Sequence, residues 1–170
     1  MVVVYEGEYS EALSVKKNVT LVTRGVVSIA PADAPCVSLE GASFYAQGVN
    51  FRILDLVGNN TPSIIEATTT NTTHEIKLEG CSFDTTAHAT ASFLSSSLVS
   101  VFMTGCHFKG EGSIDLTGAL TCRVIGSVIP NVELTNMLSL SYLSGASILD
   151  VALVDSSLAV SGNMNSVIGN

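Results

Sequence analysis

A short phrase of alternating apolar residues recurs along this 170-residue chain and constrains its fold more than any other feature. The phrase reads apolar, any, apolar, any, Gly, small, any, apolar, and its clearest copies span residues 76–83 and 101–108. Alternation with a period of two turns one side of a strand inward. The two residues between the second and third apolar positions interrupt the alternation once. Each copy therefore predicts two short strands joined at a corner, with both strands facing one core.

The copies recur at irregular intervals, which favours a stacked coil with loops of variable length. The corner glycines Gly48, Gly80, Gly105 and Gly126 are 32, 25 and 21 residues apart. A propeller or a leucine-rich array keeps a steadier period. We predict a parallel β-helix of roughly six to seven rungs, where a rung is one turn of the coil, forming a single domain over residues 1–170.

Two further copies of the phrase are weaker. One is centred on Asp155, with apolar residues at Val151, Leu153 and Leu158. The other is centred on Gly145, which either begins its own rung or lies within a longer one. If equivalent positions stack, the Phe, Ile or Leu at the last apolar position of the copies forms an internal column, with Phe51, Phe83 and Phe108 among its members.

Two polar segments, residues 58–73 and 84–97, interrupt the pattern and are predicted to leave the coil as loops. The second contains 91–94, Ala-Ser-Phe-Leu, which predicts either a strand or a short helical turn. No window keeps a 3.6-residue apolar period, so the expected fold class is all-β.

Composition narrows the function classes. Apolar residues make up 46% of the chain and charged residues 13%, against about 25% charged residues in an ordinary globular domain. The net charge of −8, with seven Lys and Arg, argues against nucleic-acid binding. No apolar run approaches the roughly 20 residues of a membrane helix. The first residues lack the basic and apolar regions of a signal peptide, so no leader is predicted.

Four cysteines, Cys36, Cys81, Cys106 and Cys122, are spread along the chain without a C-x-x-C pair. The spacing disfavours zinc. Cys81 and Cys106 occupy the same position of the repeated phrase, so we expect them to lie above one another in the core. A ladder of small buried thiols is the favoured interpretation, and a disulfide is the alternative.

The opening of the chain carries a family resemblance. Residues 3–11 and 13–21 read Val-Val-Tyr-Glu-Gly-Glu-Tyr-Ser-Glu and Leu-Ser-Val-Lys-Lys-Asn-Val-Thr-Leu. This resembles the first strands of pectin-lyase-like right-handed parallel β-helix proteins, and the later Gly-x-x-Phe phrases are similar to their rungs. The resemblance implies a right-handed coil. It implies no single activity, because this scaffold carries enzymes, adhesins and structural proteins of viruses and appendages.

Enzymes of that superfamily use clustered carboxylates with a basic residue. The carboxylates here that could cluster are Asp84, Glu111, Asp115, Glu133, Asp150 and Asp155. Asp115 and Glu133 lie in similar phrases and are expected on neighbouring rungs, with Arg123 the nearest basic residue between them. Two stacked carboxylates can carry out acid–base chemistry. A solvated strand face is the favoured interpretation, so no catalytic residue is assigned.

The remaining polar signals are weak. His74, His88 and His107 lack metal-ligand spacing, and we expect neither a metal nor a cofactor. The sequons at Asn18, Asn59 and Asn71 matter only in a eukaryotic secretory setting.

An apolar strand, residues 2–4, opens the chain, and exposed edge strands pair readily with other chains. We therefore expect a non-catalytic structural or assembly module, joined to other protein chains through its end strands in an oligomer or larger particle. Its location is then a virion, an appendage or another extracellular assembly. The alternative functions are a carbohydrate-active enzyme or glycan-binding protein of the pectin-lyase-like type, with a polysaccharide as partner, and a surface adhesin.

Overall fold

The computed structural model describes residues 1–32, 35–54, 63–69, 73–87, 91–126 and 128–169. Within these ranges the chain forms strands and no helix, and all strands belong to one 17-stranded sheet whose pairings are parallel. The strands are β1 Val2–Tyr9, β2 Leu13–Val15, β3 Val19–Ile29, β4 Val37–Glu40, β5 Phe44–Arg52, β6 Ser63–Thr68, β7 Glu75–Glu79, β8 Ser82–Asp84, β9 Ser92–Ser97, β10 Ser100–Thr104, β11 His107–Lys109, β12 Ser113–Thr117, β13 Cys122–Ile125, β14 Val128–Ile129, β15 Asn131–Thr135, β16 Ser141–Val154 and β17 Leu158–Gly169.

The sheet winds into a parallel β-solenoid of about 7 turns, which confirms the predicted coil. Its strands stack in three faces. Face A contains β7, β10 and β13, and face B contains β8, β11 and β14. Face C contains β2, β4, β6, β9, β12 and β15. The long strands β1, β3 and β5 run through faces A and B, and β16 and β17 run through all three.

The rungs shorten towards the end of the chain. The face A register aligns positions 20, 45, 77, 102, 123, 142 and 159, so successive rungs take 25, 32, 25, 21, 19 and 17 residues. The variable connections lie between face B and face C and between face C and the next face A. The strands themselves remain in register because their backbone hydrogen bonds require it.

The corner between faces A and B carries the predicted glycines. Gly48, Gly80 and Gly105 have φ angles of 71°, 57° and 62°, which is left-handed backbone that glycine adopts without strain. The amide of Gly105 donates to the carbonyl of Ile125 at 2.8 Å, and Gly126 donates to Ser144 in the same way. Gly145 pairs with Gly162 on the next strand, so Gly145 begins its own corner and its own rung.

The phrase centred on Asp155 is at a different corner, which corrects its placement in the glycine series. Val151 and Leu153 pair with Val132 and Leu134 on face C, and Asp155 follows with φ 46°. Asn136 holds the equivalent place one rung earlier, with φ 51°. The corner from face C to face A thus uses the same two-residue interruption as the glycine corner, and the two have similar sequences for that reason.

The predicted loop excursions over 58–73 and 84–97 are wrong in extent, because each segment contains a strand of face C. Strand β6 pairs with β4, and β9 pairs with both β6 and β12. Four apolar residues of these strands are buried: Ile64, Ile65, Phe93 and Leu94. The many Ser and Thr residues around them made the two segments resemble loops in the sequence. Of the two interpretations of 91–94, the strand is correct.

The core is built from columns of equivalent side chains. Ile29, Phe51, Phe83 and Phe108 are in register on face B. The ring of Phe83 stacks on Phe51 and on Phe108, with centroids 5.4 Å apart in both pairs. The predicted aromatic column is therefore confirmed. Stacked rings in contact contribute roughly 0.5–1.5 kcal/mol per pair beyond their burial.

Candidate functional site

The carboxylates expected on neighbouring rungs are adjacent on face C. Asp115 of β12 is directly opposite Glu133 of β15 in the parallel register. Oδ2 of Asp115 accepts hydrogen bonds from Ser92 Oγ at 2.6 Å and from Ser113 Oγ at 3.0 Å. Oδ1 of Asp115 is buried and has no hydrogen-bond partner among the described residues, and Glu133 is exposed. Two serines thus hold one of the two carboxylates in place.

Arg123 does not join these carboxylates. It lies on β13 of face A, between Phe102 and Tyr142 in the register, whereas Asp115 and Glu133 point outward from face C. The guanidinium carbon of Arg123 is 5.7 Å from the centroid of the Tyr142 ring. The three residues considered as catalytic candidates are therefore divided between two faces of the coil.

The other carboxylates are dispersed. Asp84 ends β8 on face B, while Glu111, Asp150 and Asp155 are exposed residues at or beside corners further along the chain. Asp84 accepts a hydrogen bond from the Thr86 amide at 3.0 Å and pairs with the Lys109 ammonium at 3.0 Å. Partial burial raises the pKa of Asp84, but the Thr86 hydrogen bonds and the Lys109 charge outweigh it and leave the pKa lowered.

A column of aromatic and basic side chains runs along the outside of face A. Its members, named here the aromatic–cationic column, are Tyr45, Lys77, Phe102, Arg123 and Tyr142, and each is opposite the next in register. Rings and cations alternate over five successive rungs. The sequence contains the signal, because each of these residues is three positions before a corner glycine, but reasoning on the apolar positions alone overlooked it.

The members of the aromatic–cationic column contact one another. Lys77 Nζ lies 5.5 Å from the centroid of the Phe102 ring and also pairs with Glu75 at 2.7 Å. A cation over an aromatic face contributes about 0.5–1 kcal/mol at an exposed site. Tyr45 donates its hydroxyl hydrogen to Glu79 Oε2 at 2.8 Å, and this bond to a carboxylate raises the pKa of Tyr45.

A shallow trough of about 590 Å³ runs beside the last members of this column. Its floor is the corner glycines of four successive rungs, and its wall includes the hydroxyl residues Thr104, Ser144 and Ser161. At Gly105 a Cβ would meet no atom within 4 Å, so the floor is open there. The trough follows the coil axis and so has room for an elongated ligand.

Apolar side chains are exposed at the two outermost rungs. Val2 belongs to the interior column of Leu21 and Ala46, yet it is 49% exposed while those two are buried. Val167 belongs to the column of Val151 and is 46% exposed. The outer edges of β1 and β17 pair with no strand among the described residues. Both ends of the coil thus present interior-type residues that no further rung covers within the part of the chain that the structure describes.

Cys81 and Cys106 are neighbours in the core, as their shared position in the phrase predicts. Each immediately follows a corner glycine, and both are buried as free thiols. The Cys81 thiol donates to the Ala46 carbonyl and the Cys106 thiol to the Leu78 carbonyl, both at 3.5 Å. The interaction with Cys106 lowers the pKa of Cys81, and the interaction with Cys81, together with burial, raises the pKa of Cys106. Burial raises the pKa of Cys36 and of Cys122 to about 12.

The histidines and the sequon residues lie in separate parts of the chain. His74 is half-buried before β7 and His107 is exposed on β11. No group of three or more His, Cys, Asp or Glu within the described ranges is placed to hold a metal ion. Asn18 Oδ1 accepts a hydrogen bond from the Ser43 amide at 2.9 Å. His88 and the sequon residues Asn59 and Asn71 lie outside the described residues.

Nowhere in the described ranges is there a helix of the length and apolarity required to cross a bilayer.

Comparison with known proteins supplies no relative. No family model, no curated protein and no solved structure matches this chain. Its function has to be argued from the placement of its own residues.

Proposed function

We propose that this protein is a non-catalytic structural module that joins other protein chains through the end strands of its coil, as part of an oligomer or larger particle. The observation that carries the proposal is the exposure of interior-column residues at both ends, Val2 on β1 and Val167 on β17. Each end also offers the unpaired backbone groups of an edge strand, which are a template for strand addition.

The energetics favour covering these ends. Fully burying a Val side chain is worth about 1.5–3 kcal/mol, and Val2 and Val167 are each only about half covered. A strand added at either end would bury them and satisfy the row of edge amides and carbonyls. Val3 on β1 and Ile168 on β17 widen the apolar area at each end. Another polypeptide in parallel register continues the internal columns without rearranging the coil.

The test is the association state of the purified chain. Light scattering over a range up to high micromolar concentration is expected to show a mass that rises with concentration. Val2→Lys and Val167→Lys place an ammonium in the column where a new strand would pack, and each is expected to shift association to at least tenfold higher concentration. A stable monomer throughout the range would overturn self-association and leave a different chain as the partner, to be sought by cross-linking in the native assembly.

Val128→Lys is the matched control. Val128 has the same 49% exposure as Val2 but lies on β14, within the coil and away from both ends. Its replacement is expected to leave the association state unchanged. If Val128→Lys reduces association as strongly as Val2→Lys, the ends are not the contact surface and the proposal fails.

We also propose that the coil is right-handed and related in scaffold to the pectin-lyase-like proteins. The support is the opening segment, in which β1, with a register irregularity at Gly7, and the Val19–Leu21 start of β3 follow the expected order on the first two rungs. Parallel strands joined through a crossover are right-handed in nearly all known cases. An experimental map at a resolution that defines the hand of the winding tests this directly, and a left-handed coil would contradict it.

A second candidate function is binding of a linear glycan along face A, which the aromatic–cationic column favours. Strands in a sheet are roughly 4.8 Å apart, close to the advance of one pyranose unit in an extended glycan. Phe102 and Tyr142 therefore recur at a spacing of about two sugar units, roughly 9.6 Å. The glycine trough beside them exposes hydroxyls of Thr104 and Ser144 that can bond sugar hydroxyls.

Calorimetric titration with defined oligosaccharides, neutral and uronic, tests this candidate. Phe102→Ala and Tyr142→Ala are each expected to weaken binding about tenfold or more, the loss of one aromatic contact. Tyr5→Ala, which removes an exposed ring from the first rung, is the control and is expected to leave binding unchanged. Absence of binding to every glycan class, or equal loss in all three variants, would reject the candidate.

A further inference from the structure

We propose that Cys81 and Cys106 are a disulfide site, and that the chain closes this bond between two neighbouring rungs when it folds in the presence of a disulfide oxidant such as oxidised glutathione. The site lies in the core at the corner between faces A and B. It would link β7 and β8 covalently to β10 and β11, with which they already pair in register through backbone hydrogen bonds.

The backbone geometry suits the bond. Ser82 is opposite His107 in the parallel register, and the His107 amide donates to the Cys81 carbonyl at 2.9 Å. Residues opposite each other on neighbouring strands have Cα atoms roughly 4.8 Å apart. This separation is within the range of about 4.4–6.8 Å found for disulfides.

The hydrogen bonds of the two thiols show the direction in which each side chain points. The Cys106 thiol donates to the Leu78 carbonyl at 3.5 Å, on the rung that carries Cys81. The Cys81 thiol donates to the Ala46 carbonyl at 3.5 Å, one rung earlier. Both thiols thus lean in the same direction along the axis, which turns the Cys106 sulfur towards the rung of Cys81. Bond formation requires the Cys81 side chain to rotate towards Cys106.

The chemistry is ordinary thiol–disulfide exchange. The Cys81 thiolate attacks one sulfur of oxidised glutathione and releases a glutathione thiolate. Cys106 then loses its proton and attacks the Cys81 sulfur of the mixed disulfide, releasing the second glutathione. The two cysteines lose two electrons and two protons, and one oxidised glutathione becomes two reduced ones. The exchange takes place during folding, before both sulfurs are enclosed.

Cys36 and Cys122 provide internal controls. Cys36 donates to the Arg52 carbonyl at 3.4 Å, and Cys122 is opposite Val101 in its column. Neither has a cysteine next to it in the register. Non-specific oxidation would involve all four thiols, whereas the proposed site excludes these two.

The experiment refolds the full chain from urea in a buffer of oxidised and reduced glutathione and maps disulfides by mass spectrometry after thiol blocking. One bond, Cys81 to Cys106, is expected in the wild type and in a Cys36→Ser, Cys122→Ser double variant. Its equilibrium constant is expected to be roughly 100-fold larger in refolding buffer than in urea, because the fold holds the two sulfurs together. The oxidised protein should melt about 5–10 °C higher than the reduced one.

Cys81→Ala and Cys106→Ala should each abolish the bond without creating another, and their far-ultraviolet circular dichroism reports whether the coil still forms. Refolded native protein with no disulfide, or with one that involves Cys36 or Cys122, would overturn the proposal. So would a Cys81–Cys106 bond that forms as readily in urea as in the folded chain. Because the readout is covalent mapping of a single chain, the result is independent of whether the coil assembles with partners.

Discussion

The central rungs, β5 to β12, and the C-terminal rungs, β13 to β17, share one register but fill their cores differently. The central rungs contain the stacked rings of Phe51, Phe83 and Phe108, with Phe93 packed edge-on against the last two. The equivalent column in the C-terminal rungs holds Ile129, Ile148 and Met164. The change follows rung length, which falls from 32 residues to 17 along the coil.

The connection from face B to face C explains the difference. In the central rungs it runs over several residues, such as 85–91, and leads into β9, where Phe93 enters the core. Between β14 and β15 the connection is Pro130 alone. The one-residue corner belongs to a shorter rung, and that rung holds Ile129 where the longer central rungs hold Phe. Packing density has to stay near that of a crystal in both regions, so side-chain volume follows cross-section.

The largest expected effect is the loss of a central ring. Phe83→Ala removes the side chain that contacts three other rings and should lower the free energy of unfolding by about 4–5 kcal/mol. Ile148→Ala in the narrower region should cost about 2–3 kcal/mol, because less volume is lost. Urea unfolding followed by circular dichroism measures both. A larger loss for Ile148→Ala would show that the C-terminal rungs, and not the Phe stack, dominate stability.

The second prediction concerns the corner glycines. A Cβ on Gly145 would lie 2.5 Å from the Gly126 carbonyl oxygen, a backbone atom that cannot move freely. A Cβ on Gly105 would meet no atom within 4 Å, and only its φ of 62° opposes substitution. Gly145→Ala should therefore destabilise the protein by about 2–3 kcal/mol, and Gly105→Ala by about 1 kcal/mol. Thermal unfolding of the two variants measures these losses. A larger loss of stability for Gly105→Ala than for Gly145→Ala would mean that the backbone at the C-terminal corner can move to accommodate the added Cβ.

The third prediction compares the regions on their outer surface. The coupling between Arg123 and Tyr142, and that between Lys77 and Phe102, should each be about 0.5 kcal/mol, because both are exposed cation–π contacts of similar length. Double-mutant cycles with Ala at each position measure the two couplings. Unequal values would show that the aromatic–cationic column is not continuous across the two regions.

The smallest expected effect is a pH dependence from Asp84. The Thr86 hydrogen bonds and the Lys109 charge hold the pKa of Asp84 in the folded protein below its usual value of 3.8. Its contribution to stability is therefore present above the pKa of the unfolded chain and is lost as pH falls through the folded pKa. Exposure of the Lys109 partner limits the effect to a few tenths of a kcal/mol. Asp84→Asn and Lys109→Gln should both flatten the acid limb of a stability–pH curve below about pH 4. An unchanged limb in both variants would refute this.

Several parts of the fold could be predicted from residue order because they depend on nearest neighbours. Alternation at 76–83 and 101–108 defines which side chains are buried, and one extra residue beside a glycine makes a corner. Equal positions in two phrases were enough to place Phe83 against Phe108 and Cys81 against Cys106. The same logic placed Asp115 beside Glu133.

Other features depend on stacking and were missed. Ser- and Thr-rich strands β6 and β9 resemble loops because their apolar residues, such as Ile65 and Leu94, are few and become a core only beside one another. The phrase at Asp155 has the sequence pattern of the glycine corner between faces A and B, but it lies at the corner from face C to face A. The two patterns are alike because both corners use the same local backbone. Arg123 lies midway between Asp115 and Glu133 in sequence and on a different face in space.

The order of residues along each rung thus specifies which side chains face the core and where the chain turns. It does not specify which rung pairs with which across 17 to 32 intervening residues, nor how wide each rung becomes. Those follow from backbone hydrogen bonds between rungs and from filling one shared interior, which are interactions between segments distant in sequence. The aromatic–cationic column and the uncovered apolar ends exist only after that stacking has taken place.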